Sequence, residues 1–260
     1  MRKFVPPKWS LAARVLPFIV LILIVKLIVH NMGWEFISLN PLFNSIVAAN
    51  VFLLGFLLAG TLSDYKESEK LPGELAASIE TIADECVITY KNKKSKKARE
   101  GLVYLRDFTS SMLEWFYKKE KTKSLFHKLA GLGTFYLAFE PLTQPNFIVR
   151  LKQEQHNIRR MLIRIHTIRE TSFVAVGYAI AEITTTLLIV GFIMSKISPF
   201  IDSVFFVGIA TFLMIYMNVL IRDLDNPFDY YEGESEAAHV SLHPIRELEE
   251  RLNDRIKELK

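Results

Sequence analysis

The chain has 260 residues, of which 50% are hydrophobic, and this share is too high for an ordinary soluble domain of that length. Charged residues still make up 23% of the chain, so they must be separated along the sequence from long apolar runs, as in a membrane protein. The formal net charge of +4 does not indicate a nucleic-acid-binding protein, and Cys86, the only cysteine, excludes an intrachain disulfide.

The first apolar run, from Val15 to Val29, predicts a membrane-spanning helix. It follows four basic residues and lacks a small-residue cleavage site, so it is interpreted as a retained span rather than a signal peptide. Lys26 lies near its external end, where a long side chain can carry its ammonium group to the interface. We therefore expect Lys26 to snorkel to the membrane surface.

The second run, from Ile46 to Leu62, passes without a break into a charged, helix-prone segment. Within it Ala48, Phe52 and Phe56 recur at every fourth position, which places them on one face of a helix. This face is a candidate for a pore constriction. The same spacing is also typical of a stripe that faces lipid or packs inside a helical bundle, so both alternatives stay open.

Residues 63–170 are predicted to form a cytoplasmic helical bundle, because a coil of that length would be anomalous. Apolar residues recur at helical spacing in four segments, which begin near Leu75, Leu102, Leu125 and Ile148. Glycines are expected to interrupt the third segment. The fourth is expected to run directly into the next span.

Two further runs, from Thr171 to Met194 and from Phe200 to Ile221, predict the third and fourth spans. Glu182 lies near the middle of the third span and is expected to face the bundle interior, because a carboxylate there must be protonated, paired or hydrated. A structural hydrogen bond and a role in an ion path are both open interpretations of Glu182.

The distribution of positive charge predicts the orientation of the spans. Residues 30–40 contain no Lys or Arg, whereas residues 63–170 contain 20 of them against 14 Asp and Glu. The positive-inside rule therefore predicts cytoplasmic termini and a cytoplasmic middle region for a multi-pass protein of the plasma membrane.

The C-terminal segment is acidic and ends in a helix with one apolar seam. The seam contains Ile245, Leu248, Leu252, Ile256 and Leu259. Its partner is either the bundle of the same chain or a neighbouring subunit. The predicted organisation is residues 1–62 with spans one and two, 63–170 as the bundle, 171–221 with spans three and four, and 222–260 as the acidic segment and last helix.

No arrangement of residues points to an enzyme. The sequence lacks a glycine-rich phosphate loop, a His-Glu-x-x-His motif, paired cysteines and a nucleophile elbow, and its six histidines are scattered. No catalytic residue and no resident metal or cofactor is therefore predicted. A lysine-rich stretch near Trp115 favours anionic membrane lipid over nucleic acid as a partner.

Several short stretches resemble the bestrophin family of ion channels and their prokaryotic relatives. They are Phe52-Leu53-Leu54-Gly55-Phe56 in the second span, Lys70-Leu71-Pro72 after it, and Asn226-Pro227-Phe228 followed by acidic residues. The layout of four spans with a long helical insertion is similar over most of the chain.

The resemblance implies a homopentamer around a central pore whose hydrophobic neck is lined by the second span. The family's three neck residues map onto Ala48, Phe52 and Phe56, and Ala48 departs from the larger aliphatic residue that is usual there. The resemblance favours anions, chloride among them. The neck carries no charge, so selectivity would come from rings at the pore mouths, such as Asp64 or Lys66, or from hydration.

The acidic run after Asn226-Pro227-Phe228 forms a calcium clasp in animal members of the family. The corresponding residues here are Asp229, Glu232, Glu234 and Glu236. Two tyrosines interrupt these acids, and prokaryotic relatives lack the clasp, so a solvated acidic loop is the preferred interpretation over calcium binding.

The function predicted from these observations is passive ion conduction by an all-α, four-span membrane protein. The alternative, from another class, is a non-conducting membrane scaffold or sensor that acts through its cytoplasmic bundle.

Overall fold

A computed structural model describes residues 9–170, 175–230 and 239–259. Within these ranges the chain forms nine helices and no β-strand. The helices are α1 (Ser10–Asn31), α2 (Pro41–Ser68), α3 (Leu71–Lys93), α4 (Lys96–Phe116), α5 (Thr122–Phe139), α6 (Pro145–Glu170), α7 (Ala175–Ile193), α8 (Phe200–Asp225) and α9 (His243–Glu258).

Four stretches are long and apolar enough to cross a membrane, which confirms the predicted four-span, all-α fold class. They are Ser10–Asn31, Pro41–Lys93 with the apolar run of α2, Val176–Ile193 and Phe200–Asp225. The predicted direct connection of α6 to the third span falls on residues 171–174, outside the described residues.

The chain divides into two compact units. We call residues 9–64 and 175–225 the spanning unit, and residues 65–170, 226–230 and 239–259 the bundle unit. In the spanning unit α8 packs against α1 and α7. Its apolar core holds Leu54, Leu57, Ala181, Leu188, Val207 and Met214.

Two loops of the spanning unit are joined by an isolated β-bridge between Ile37 and Ser195. The backbone N–H of Ile37 donates to the carbonyl of Met194 at 3.1 Å, and the N–H of Lys196 donates to the carbonyl of Ile37 at 2.9 Å. The segment that leads into α2 is therefore fastened to the C-terminal end of α7.

The bundle unit buries the apolar faces that helical periodicity predicts. Leu75, Leu102, Leu125 and Ile165 have no exposed surface, and each lies on a different helix. Helix α9 packs against α3 and α4, so the core of the same chain covers its apolar seam. This settles the alternative that the sequence left open for the partner of α9.

The expectation that glycines interrupt α5 was wrong, because α5 is continuous from Thr122 to Phe139. Gly131 instead makes room for a neighbouring side chain. A Cβ atom at Gly131 would lie 2.1 Å from the hydroxyl oxygen of Tyr104. That hydroxyl donates a hydrogen bond to the carbonyl of Lys128 at 2.6 Å, which ties α4 to α5.

Candidate pore-lining site

Helix α2 presents two opposite faces, and the three predicted neck residues share the uncovered one. Phe52 and Phe56 are 77% and 66% exposed, and Ala48 is exposed as well. On the other face Leu54 and Leu57 are buried in the core of the spanning unit. The uncovered aromatic stripe of α2 is therefore free to meet other copies of the chain, lipid or water.

An apolar groove of about 490 Å³ adjoins this stripe. It is lined by Leu39, Asn44, Val47, Ala48, Val51, Phe52 and Phe192. No residue of this lining carries a charge and nearly all of its side chains are apolar, so the groove offers an ion little to replace its hydration water. The only side-chain amide in the lining is that of Asn44.

The predicted mouth residues lie two positions apart near the C-terminal end of α2. Asp64 is half-buried and Lys66 is exposed. Asp64 interacts with other groups of the chain, so its carboxylate is not an isolated charge. Their roles at a pore mouth stay a prediction.

Glu182 is paired rather than enclosed. Its carboxylate oxygen Oε1 lies 2.6 Å from Nη2 of Arg222 near the C-terminal end of α8, and 41% of its side chain is exposed. Pairing was one of the three conditions expected for a carboxylate in a span, but the expected position in the bundle interior was wrong. The arginine belongs to the segment that the sequence places after the fourth span.

The expectation that Lys26 snorkels to the interface was also wrong, because its side chain has no exposed surface. Its ammonium group donates to Oε1 of Glu35 at 2.7 Å, to the carbonyl of Ile193 at 3.2 Å and to the carbonyl of Ser195. An ammonium group has three N–H donors, so each of them has an acceptor. His30 contacts the other carboxylate oxygen of Glu35 at 3.0 Å.

The charge state of Glu35 reflects these partners. Burial by itself raises the pKa of Glu35, but hydrogen bonds and positive charge from Lys26 and His30 outweigh burial, so its pKa lies below the ordinary value. Glu35 is thus held as a carboxylate between the Lys26 ammonium group and the His30 ring. This cluster joins α1 to the two loops that the β-bridge connects.

A buried polar network joins three helices of the spanning unit, and the sequence analysis missed it. The Asn50 amide nitrogen donates to Oγ1 of Thr185 at 3.1 Å, and Thr184 donates to Oδ1 of Asn50 at 2.6 Å. Asn218 of α8 donates to the same Thr185 hydroxyl at 2.9 Å. The available signal was the amide of Asn50, which shares its apolar run with one other polar side chain, Thr61.

Only the first residue of the predicted acidic calcium loop belongs to the described part of the chain. Asp229 forms an ion pair with Lys118. Glu232, Glu234 and Glu236 lie outside the described residues. Within the described ranges no three His, Cys, Asp or Glu side chains come together as a metal site.

Aromatic packing fixes the segment that carries Asp229. Phe228 is completely buried, and its ring centroid lies 5.9 Å from that of Phe116. Tyr230 packs against Phe116 and Tyr117, and its hydroxyl donates to the carbonyl of Val240. The Asn226-Pro227-Phe228 segment is therefore a structural anchor in the bundle unit.

Comparison with known proteins gives a match in structure but not in sequence. No family model and no curated protein matches the chain. Solved structures of a bacterial bestrophin homologue from Klebsiella pneumoniae do match it. One mutant form is 14% identical, with a TM-score of 0.78, over 93% of this chain and 98% of that chain.

Two further structures of the Klebsiella homologue give the same result. A second mutant form has a TM-score of 0.78 at 14% identity and covers 94% of this chain and 99% of that chain. The structure phased with zinc has a TM-score of 0.75 at 14% identity, over 94% and 98% of the two chains. The resemblance predicted from the sequence is confirmed at the level of the fold, and the chain has the fold of the bacterial bestrophin homologues.

Proposed function

We propose that the protein is an oligomeric ion channel in which helix α2 of several copies lines a central pore. The observation that carries this proposal is the uncovered stripe of Ala48, Phe52 and Phe56 on a helix whose opposite face is buried. The shared fold supports it, because the bestrophin resemblance implies a neck at these three positions.

Several copies are needed because the spanning unit is filled by its own side chains. Leu54, Val207 and Thr211 are completely buried in it, as expected for a packed helical bundle rather than a pore. A pathway for ions must then lie on a symmetry axis between copies. We propose five copies, with termini and bundle unit in the cytoplasm and the spans in the plasma membrane.

The proposed conduction is passive and favours anions. Rings of Phe52 and Phe56 would surround a narrow dry passage that resists ions, since they must lose water there. The edge of an aromatic ring is the positive part of its quadrupole, so ring edges that point into the passage favour an anion such as chloride over a cation.

A second candidate is a non-conducting scaffold or sensor that acts through the bundle unit. Val149 and Ile163 on α6 are 68% and 51% exposed. They lie fourteen residues apart and therefore on nearly the same side of the helix. Apolar residues on one side of a cytoplasmic helix provide a surface for a protein partner.

Ion flux in lipid vesicles separates the two candidates. Purified full-length protein is reconstituted into vesicles loaded with chloride, and chloride release is compared with that of protein-free vesicles. The channel proposal predicts release that increases with the protein-to-lipid ratio. Release equal to that of protein-free vesicles, from protein shown to be folded and inserted, would contradict it in favour of the scaffold.

A further inference from the structure

Helix α2 is apolar on all sides within its membrane-spanning run, so hydrophobicity does not specify its rotation. Between Ile46 and Leu62 the only polar side chains are Asn50 and Thr61. Lipid is as apolar as the core of the spanning unit, and apolar side chains therefore gain little by facing one rather than the other. Rotation of α2 needs another determinant.

The two polar side chains of the run differ in what they bind. The hydroxyl of Thr61 donates to carbonyls of its own helix, those of Leu57 and Leu58, at 3.1 Å each. Because donor and acceptors belong to the same helix, these hydrogen bonds persist at any rotation of α2 and do not select one. Asn50, by contrast, is 3% exposed and bonds to α7 through both its amide nitrogen and its amide oxygen.

The partners of Asn50 are themselves held in place. The Thr185 hydroxyl, on a residue that is 4% exposed, accepts hydrogen bonds from both Asn50 and Asn218. The Asn218 amide also donates to the carbonyl of Met214 in α8 at 3.1 Å. We call Asn50, Thr184, Thr185 and Asn218 the Asn50 network. It connects α2, α7 and α8 through side chains alone.

The Asn50 network lies on the side of α2 opposite the proposed neck residues. At 100° per residue, Phe52 is about 200° from Asn50 around the helix, and Ala48 is the same angle away in the other direction. Turning α2 so that its stripe moved by one residue would carry the Asn50 amide away from Thr184 and Thr185. Both ends of the amide would then be unpaired in an apolar medium, which is unfavourable.

We propose that the Asn50 network is the positioning device of α2 and fixes which residues of the helix face the proposed pore. Asn50, Thr184, Thr185 and Asn218 are positioning residues, since none of them belongs to the neck itself. That the stripe faces a pore rests on the proposed function. That the Asn50 network fixes the rotation of α2 does not depend on the proposed function.

The chain offers a matched pair of variants in two adjacent threonines of α7. Thr185→Val removes a hydroxyl of the network at nearly constant side-chain volume. Thr186→Val makes the same chemical change at an exposed residue whose hydroxyl donates to the carbonyl of Glu182 in its own helix at 2.7 Å. Thr185→Ser keeps the hydroxyl and serves as the conservative variant.

The experiment measures the environment of α2 directly, by spin labels in full-length protein reconstituted into lipid vesicles. Single cysteines at 52 and 56, on the stripe, are compared with cysteines at Leu53 and Leu58, which pack against the core. Cys86→Ala serves as the background. Collisions with oxygen report exposure to lipid, and collisions with a water-soluble nickel chelate report exposure to water.

We expect labels at 52 and 56 to be more accessible than those at 53 and 58 in the parent protein, with Thr186→Val and with Thr185→Ser. Thr185→Val removes the acceptor of two interhelical hydrogen bonds, so it should shift the population of α2 orientations by about tenfold and reduce this contrast. An unchanged contrast in Thr185→Val, in protein of normal oligomeric state, would overturn the inference.

If Thr185→Val does not yield folded protein, Thr184→Val provides the same test with one hydrogen bond removed and a shift of about threefold. An unchanged contrast in Thr184→Val would then overturn the inference. Magnetic interaction between labels keeps the inference separate from the proposed function. Labels at 52 and 56 around a narrow passage would lie close to those of neighbouring copies, so a parent protein without spin–spin broadening at these positions would contradict the pore, while the response to Thr185→Val would still decide the rotation.

Discussion

Lys26 has no exposed surface, and each of its three N–H donors has an acceptor in Glu35, Ile193 or Ser195. The sequence alone predicted a snorkelling side chain because its two carbonyl acceptors lie more than 160 residues further along the chain. Local sequence shows that a lysine lies near a helix end. It does not show which distant loop closes over that lysine.

Replacing Lys26 by Met should lower the free energy of unfolding by about 3–5 kcal/mol, because Glu35 would remain buried without its main partner. The measurement is denaturant unfolding of the purified protein in detergent, followed by circular dichroism. Lys97→Met is the control, since the side chains of Lys97 and Glu100 are 60% and 40% exposed and a solvent-exposed ion pair contributes little to stability. Similar losses for both variants would contradict this role of Lys26.

Glu35 should make stability depend on pH in the acidic range. Its pKa is lowered in the folded protein, so its stabilising contribution is complete above its unfolded pKa of about 4.3 and disappears as the pH falls through the folded pKa. We expect the denaturant concentration at the midpoint of unfolding to decrease in the parent protein once the pH is lower than about 4. Glu35→Gln should show a smaller decrease over the same pH range. Identical pH profiles of the two proteins would rule out this contribution.

At the scale of secondary structure, periodicity predicted which faces of α3, α4, α6 and α9 are buried, because a water-exposed bundle separates apolar from polar side chains. The same reasoning gave no orientation for α2, because nearly every side chain of its spanning run is apolar. Gly131 was misinterpreted for another reason: what it accommodates is the Tyr104 ring of another helix.

Helix α9 should stabilise the bundle unit through its apolar seam. Leu252 has no exposed surface, so Leu252→Ala should lower the free energy of unfolding by about 2–5 kcal/mol. Leu137→Ala makes the same change at a residue of α5 that is 69% exposed and should alter stability by less than about 0.5 kcal/mol. Denaturant unfolding of both variants checks the difference, and equal effects would mean that α9 does not support the bundle core.

For the whole molecule, four apolar runs and three short stretches were enough to predict the fold, although the matching structures are only 14% identical. The runs carry this information because a membrane restricts the chain to few arrangements of helices. The proposed neck residues share one uncovered side of α2, but what lies opposite them depends on other copies of the chain. Residues within one sequence do not specify that geometry.

The membrane orientation can be tested with two exposed positions that are predicted to lie on opposite sides of the membrane. A cysteine in place of Ser38 should react with an impermeant thiol reagent added to intact cells, whereas one in place of Asn92 should react only after permeabilisation. Cys86 is buried and should not contribute to labelling. The reverse labelling pattern would overturn the cytoplasmic assignment of the bundle unit.

Single-channel conductance of neck variants tests most directly whether α2 lines an ion pore. Replacing Phe52 and Phe56 together by Ala removes the large apolar side chains from the proposed constriction, so conductance should rise or the channel should become leaky. Leu53→Ala with Leu57→Ala is the matched control, because Leu57 is buried in the spanning unit and Leu53 packs against that core. The control pair should reduce stability or assembly by forming cavities and leave single-channel conductance unchanged. Equal changes in conductance from both pairs, or none from the phenylalanine pair, would contradict a pore lined by Phe52 and Phe56.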